Sequence, residues 1–242
     1  MKTYTAAILI ATLAFTTRCT SQIKLPKVLA KNSTTSTGVT ESEAAQGIKE
    51  ALTQGVTNAV LNLNKTDGFF GSEIYKMLLP PDAKKVETTL RKMGMGAEVD
   101  KAILSINRGA EDAVAYAKPI FVDAIKEMTL TDALNILKGN KDAATQYFKQ
   151  KTSEKLTAAF KPSVQSSLDK VNATKYYGDI VTTYNKLPTT FNKVNPDLTS
   201  YVVGKAVEAL FDQVAKEEAN IRANPAARAT DILKKVFGSV KI

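Results

Sequence analysis

The chain has 242 residues, 44% of them hydrophobic, which suffices for the core of one large domain or two small ones. It carries 33 Lys and Arg against 24 Asp and Glu, no histidine and a single cysteine. That inventory excludes Ser-His-Asp and Cys-His catalysis, His/Cys zinc sites and an internal disulfide, and leaves chemistry to carboxylates, Lys, Tyr, Arg and hydroxyls.

Residues 1–18 read as a secretory signal peptide. Lys2 supplies the positive start, and the apolar run Ala6–Phe15 is too short to span a bilayer. Cys19 follows directly. An unpaired thiol is out of place in an oxidising compartment, and acylation of Cys19 as the first mature residue explains both its position and its solitude. Lipoprotein leaders carry a small residue just before the Cys and Leu three before it, whereas this chain has Arg18 and Thr16. Simple cleavage near Thr16 or Ser21 is therefore the alternative. Either way the chain is expected to be exported to the periplasm, with membrane contact only through a lipid anchor. Residues 19–40 form a flexible tether: Asn32–Gly38 is small, polar and without apolar period, and about 20 residues of coil reach roughly 25 Å.

The pattern then becomes helical. Thr40-Glu-Ser-Glu43 is a capping box, and Ala45, Ile48, Leu52, Val56, Ala59, Val60 and Leu63 lie on one face of a helix that ends at Asp67-Gly68. Ile74–Leu79 is a short apolar run that fits a strand or one helical turn. Pro80-Pro81 opens a helix with Val86, Leu90 and Met93 inward and Gly94 as its stop. Val99, Ile103, Ile106, Ala110, Ala113, Val114 and Ala117 mark a strong helix over 97–117, which Pro119 kinks or restarts. A short helix follows, capped by Asp132 or a neighbouring threonine and ended by Gly139. Another covers roughly 141–160, and Pro162 starts the next. A tyrosine-rich helix over 175–187 precedes a loop at 188–196. The last two helices run from about Asp197 to Ala223 and from Arg228 to Phe237.

No repeat and no persistent alternation interrupts this. The expected fold is all-α: one irregular bundle of about eight helices over residues 41–242, with at most a short strand or hairpin near 74–79. No later segment approaches the roughly 20 apolar residues of a transmembrane helix.

Four ordered runs carry a resemblance. They are Asn107-Arg108-Gly-Ala-Glu111; Met128-Thr-Leu-Thr-Asp132-Ala with Ile136-Leu137-Lys-Gly139; Thr145 with Tyr147-Phe148; and Glu217-Glu218-Ala-Asn-Ile-Arg222-Ala-Asn224-Pro225. Over roughly residues 41–238 the chain resembles the bacterial family of domain of unknown function 4197. The resemblance implies an exported helical protein and assigns no activity. Gly109 departs from the second Ala expected there and weakens the helix slightly.

Polar residues inside apolar patterns are the candidates for a site. Asn107, Arg108 and Glu111 sit on one helix at spacings of one, three and four, with Asp112 beside them. Glu217, Glu218 and Arg222 repeat the theme on another, Glu218 and Arg222 in the favourable i,i+4 order. One reading makes Glu111 a general base or metal ligand. The other makes both sets structural, and complementary Glu–Arg sets are then expected to meet as one network between two central helices, because an unpaired buried charge is very costly. Tyr147-Phe148, Tyr176-Tyr177 and Tyr184 suit either core or a ligand pocket. Met93-Gly-Met-Gly96 follows a helix rather than a strand, so no phosphate cradle is expected, and no metal or cofactor is assigned.

Removing Lys2 and Arg18 with the leader leaves a formal charge of +7, spread over most helices without a Lys/Arg block. That argues for an anionic envelope component or a partner protein and against nucleic acid. Three functions follow in order: a non-catalytic envelope binding or structural module; a helical carrier of an apolar or anionic ligand; and a hydrolase with two carboxylates about 5 to 9 Å apart.

Overall fold

A computed structural model describes residues 39–186 and 193–239, apart from the side chains of Ile180, Thr183, Tyr184 and Ser239. The expected signal peptide, Cys19 and all of the expected tether but Val39 and Thr40 lie outside the described residues. Among those described there are nine α-helices and no strand: α1 (Glu41–Leu63), α2 (Lys84–Lys92), α3 (Gly96–Val114), α4 (Ala117–Glu127), α5 (Leu130–Lys138), α6 (Ala143–Asp169), α7 (Ala173–Asn185), α8 (Leu198–Ala223) and α9 (Asp231–Ser239). No helix among these residues is long and apolar enough to cross a membrane.

The helices begin and end where local chemistry says they should. Thr40 and Glu43 form the capping box at the start of α1. Thr129, not Asp132, caps α5, and Asp132 closes that box from the third helical position. Gly94, at φ 82°, ends α2 in a Schellman turn, with the N–H groups of Gly94 and Met95 donating to Arg91 and Leu90. Pro119 sits in the first turn of α4, where its missing N–H costs nothing, after a break at residues 115–116.

Pro162 is a correction. It does not begin a helix but lies inside α6, which runs unbroken for 27 residues. Phe148, Leu156 and Phe160 before it and Val164 and Leu168 after it are all buried on one face, so packing holds both halves in line. The carbonyl that Pro162 leaves unpaired belongs to Ala158, which is exposed to water. The run Ile74–Leu79 forms no strand: a single turn, with the Lys76 N–H donating to the Ser72 carbonyl at 3.1 Å, leads into irregular chain.

The centre is built by α3, α6 and α8, which pack on one another, while α1 lies across α8, α5, α9 and α4. Phe121 of α4 stands edge-on to Phe148 of α6 and Phe211 of α8, at centroid distances of 4.9 and 6.1 Å. Tyr177 is a core residue and Tyr147 packs half-buried against the core, and their hydroxyls donate to the carbonyls of Asn195 and Ala124. Tyr176 is exposed. The helix α7 packs on α6 and α8, and Asn185 near its end bonds both main-chain groups of Val194, so α7 is tied to the described end of the expected 188–196 loop.

Gly109 has a packing reason that helix propensity hides. A Cβ there would stand 3.1 Å from the Cβ of Ser167 and 3.5 Å from the backbone of Val164, so α3 and α6 touch almost backbone to backbone. Beside it, the Ser105 hydroxyl donates to the Ser167 carbonyl at 2.6 Å. Gly109→Ala would gain roughly 1 kcal/mol of helix propensity. The tight approach is nevertheless to the Ser167 Cβ, which is fixed to the α6 backbone and cannot swing aside, so the variant should melt lower than the parent, and Gly109→Val should lose about 3 kcal/mol in chemical denaturation.

Candidate functional site

Apart from Glu217, the sequence-marked buried groups fall into two separate networks, and no hydrogen bond or ion pair among the described residues joins them. The two Glu–Arg sets are not bonded to each other, because Glu111 and Glu218 each find main-chain N–H donors nearer at hand.

The first network organises the chain between α1 and α2. Oε1 of Glu111 accepts from the N–H groups of Phe69 and Phe70 at 3.0 and 3.2 Å, and its Oε2 is paired with Arg108. Arg108 also grips Asp67 at 2.8 Å; Asp67 takes a positive φ of 66° next to Gly68. At Gly68 any Cβ would fall 2.3 Å from the Leu63 carbonyl oxygen, which explains the Asp-Gly turn. Asn107 is fully buried and pairs with both main-chain groups of Met77, accepting from its N–H and donating to its C=O, each at 2.8 Å. One face of α3 thus fixes the irregular segment 64–79 at both ends.

The second network joins three helix ends. Glu218 of α8 accepts five hydrogen bonds: from the N–H groups of Ala144 and Thr145, the Thr145 hydroxyl, and Nε and Nη2 of Arg222. Ala144 and Thr145 lie in the first turn of α6, whose own N-cap residue Asp142 makes no capping bond. Glu218 therefore caps α6 from another helix. Arg222 in turn donates to the carbonyl of Ile136 in the last turn of α5 at 2.8 Å. The acid meets the positive end of one helix and the cation the negative end of the next. Arg228 continues the pattern, donating to the carbonyls of Ile221 and Arg222 at the end of α8. Glu217 is separate again and accepts from Asn58 of α1 at 3.0 Å.

These saturated acids leave little for chemistry. The cavity beside Glu218 and Arg222 is about 30 Å³, room for about one water molecule and not for a carried lipid. Among the described residues no group of three or more metal-ligating side chains is clustered.

An accessible groove of about 600 Å³ lies elsewhere, between residues 74–87 and the outer face of α8. Its apolar wall includes Ile74 and Leu78, 72% and 57% exposed. Across the groove the Tyr75 hydroxyl donates to Asp212 at 2.6 Å, and Lys216 donates to the Tyr75 oxygen at 2.6 Å and to Asp212 at 2.9 Å. Burial, and then the Asp212 hydrogen bond, raise the Tyr75 pKa above its usual 10.0; the Tyr75 hydroxyl holds Asp212 below the ordinary carboxylate range; Tyr75 likewise raises Lys216. At neutral pH the three are a neutral phenol, a carboxylate and an ammonium, each satisfied by the others. None is poised to take a proton from a substrate near pH 7, so the triad acts as a latch.

A family model described as a protein of unknown function, DUF4197, matches residues 38–238. The chain belongs to that family. No curated protein and no solved structure matches the chain. The runs that carry the DUF4197 resemblance supply the two networks: Asn107, Arg108 and Glu111 hold the 64–79 segment, and Ile136, Thr145, Glu218 and Arg222 join the helix ends. The groove latch was not legible in the same way. Asp212 and Lys216 stand in the favourable i,i+4 order on α8, but Tyr75 lies 137 residues from Asp212 and nothing in the spacing ties them.

Two expectations follow. Glu218→Ala strands an arginine and two helix-end N–H groups in the core, so equilibrium unfolding should show a loss of about 3 to 5 kcal/mol. Joint replacement by Glu218→Leu and Arg222→Met should recover part of it, and additive losses would contradict the clamp. Tyr75 has its pKa raised on folding, so its contribution is whole below pH 10 and is lost as pH rises through the folded value. Spectrophotometric titration of the parent minus Tyr75→Phe should show one phenol ionising above 10.0. The stability gap between the two proteins, about 1 kcal/mol after solvent screening, should close over the same range.

Proposed function

We propose that this chain is an exported, non-catalytic binding module of the cell envelope whose contact surface is the groove between residues 74–87 and α8. The observation that carries the binding reading is the contrast between the two kinds of polar site. The buried acids Glu111 and Glu218 are engaged by internal donors, whereas the groove exposes Ile74 and Leu78 on a segment that α3 holds in place. Two large apolar side chains exposed together on the wall of one groove support reading that groove as an interaction surface. Export is supported by the leader-like residues 1–18, and a lipid-anchored N-terminus by Cys19 directly after the apolar run.

Two measurements test this reading. Intact mass of the protein extracted from its own envelope with detergent should correspond to a chain beginning at Cys19 and carrying acyl groups. A cleaved chain without acyl groups would remove the anchor and keep export, and an uncleaved chain would remove both. A photo-crosslinking residue in place of Leu78 should give a discrete adduct in intact cells, and one in place of the exposed Tyr176 should not. Loss of the Leu78 adduct in an Ile74→Asp background ties it to the groove, and equal labelling from both positions would overturn the assignment.

A further inference from the structure

The groove also shows what kind of occupant it suits, an inference that rests on the binding reading above. Three features coincide there. The first is apolar: Ile74 and Leu78 stand out from the wall. The second is electrostatic. Each acid that lines the groove is held by a cation of this chain: Glu87 by Arg91, Glu208 by Lys205 and Asp212 by Lys216. Two lining lysines, Lys76 and Lys84, have no carboxylate partner among the described residues; Lys76 rests only on the face of Phe70, 4.2 Å from its centroid. The groove therefore has spare positive charge and no spare negative charge.

The third feature is main-chain. Asn107 engages both the N–H and the C=O of Met77. The next residue, Leu78, has neither its N–H nor its C=O bonded within the described protein, and the N–H of Leu79 is likewise unpaired. Pro80 and Pro81 follow and add no donor. A donor–acceptor pair from a single residue beside exposed apolar side chains is the pattern that an extended chain completes by adding its own main-chain bonds, with alternate side chains turned to the wall. An acyl chain would use the apolar surface and leave that pair unbonded.

We propose that the groove binds an extended peptide segment in which apolar side chains alternate with carboxylates, paired through its main chain to Leu78 and through its acids to Lys76 and Lys84.

The test uses the full mature chain from Cys19 and fluorescence anisotropy. The probes are labelled hexapeptides with Leu, Val or Ile at alternate positions and Asp or Glu between. Comparison probes carry Lys in place of the acids, or N-methyl groups along the backbone, and vesicles of phosphatidylglycerol form a separate arm. The acidic peptides should saturate the groove, and the Lys and N-methyl series should not. Leu78→Asp should weaken binding by about tenfold or more. Lys84→Glu, at an exposed position, should turn the preference toward the Lys series, a change that mere loss of structure cannot produce. Equal binding of acidic and basic peptides, no change of preference in Lys84→Glu, or no binding by any acidic peptide would overturn the proposal. So would vesicle binding that depends on Leu78 without peptide binding, which would reassign the groove to lipid. If crosslinking from Leu78 persists while the acidic peptides fail, the groove stands and its occupant is wrong; if both fail, the binding reading itself falls.

Discussion

The carboxylate of Glu218 gathers donors from its own helix and from the first turn of α6, and the arrangement of α5, α6 and α8 follows from that convergence. A helix start and a helix end are both short of partners, and burying them unpaired would cost several kcal/mol. One buried ion pair answers both needs: the acid faces the amides of α6 and the guanidinium faces a carbonyl of α5. The direction of the dipoles fixes which charge goes where. Exchanging the two, by Glu218→Arg together with Arg222→Glu, would set like partial charges against each other at both ends.

The first network does for an irregular segment what the second does for helix ends. Residues 64–79 have little regular structure of their own, so their main-chain groups need partners from outside. Asn107 and Glu111 supply them from α3, one acting as a substitute strand for Met77 and the other as an anion held by successive amides at Phe69 and Phe70. The Tyr75 latch then ties the same segment to α8. The groove is thus held by two long helices that are themselves packed in the core, and association at its wall would meet a surface already ordered.

Periodicity and capping chemistry carried most of the helical architecture. The Thr40–Glu43 box, the Asp67-Gly68 turn and the stops at Gly94 and Gly139 are local signals with local causes, and the structure uses each of them. Pro162 misled because its cost depends on where the orphaned carbonyl points, and only the tertiary fold shows that Ala158 faces water. Glu111 and Glu218 were legible as groups requiring partners, but the partners are main-chain amides, which no residue type advertises. For the same reason the expected meeting of Glu111 with Arg222 did not occur. Gly109 shows the converse: propensity marks it as a weakness, and contact with Ser167 makes it a requirement.

The cap that α8 places on α6 has a consequence for how the chain reaches its fold. The donors at Ala144 and Thr145 precede their acceptor by 74 and 73 residues. At the far ends, Glu43 of α1 is paired with Lys235 of α9, 192 residues later. Closing these contacts requires nearly the whole polypeptide, so a partly emerged chain has an α6 whose start is open and an α1 whose apolar face is bare. Such long-range closure slows folding relative to a bundle of neighbouring hairpins. It also means that deleting α9 alone should uncover part of the apolar face of α1, the first helix, while α8, α5 and α4 still hold the rest.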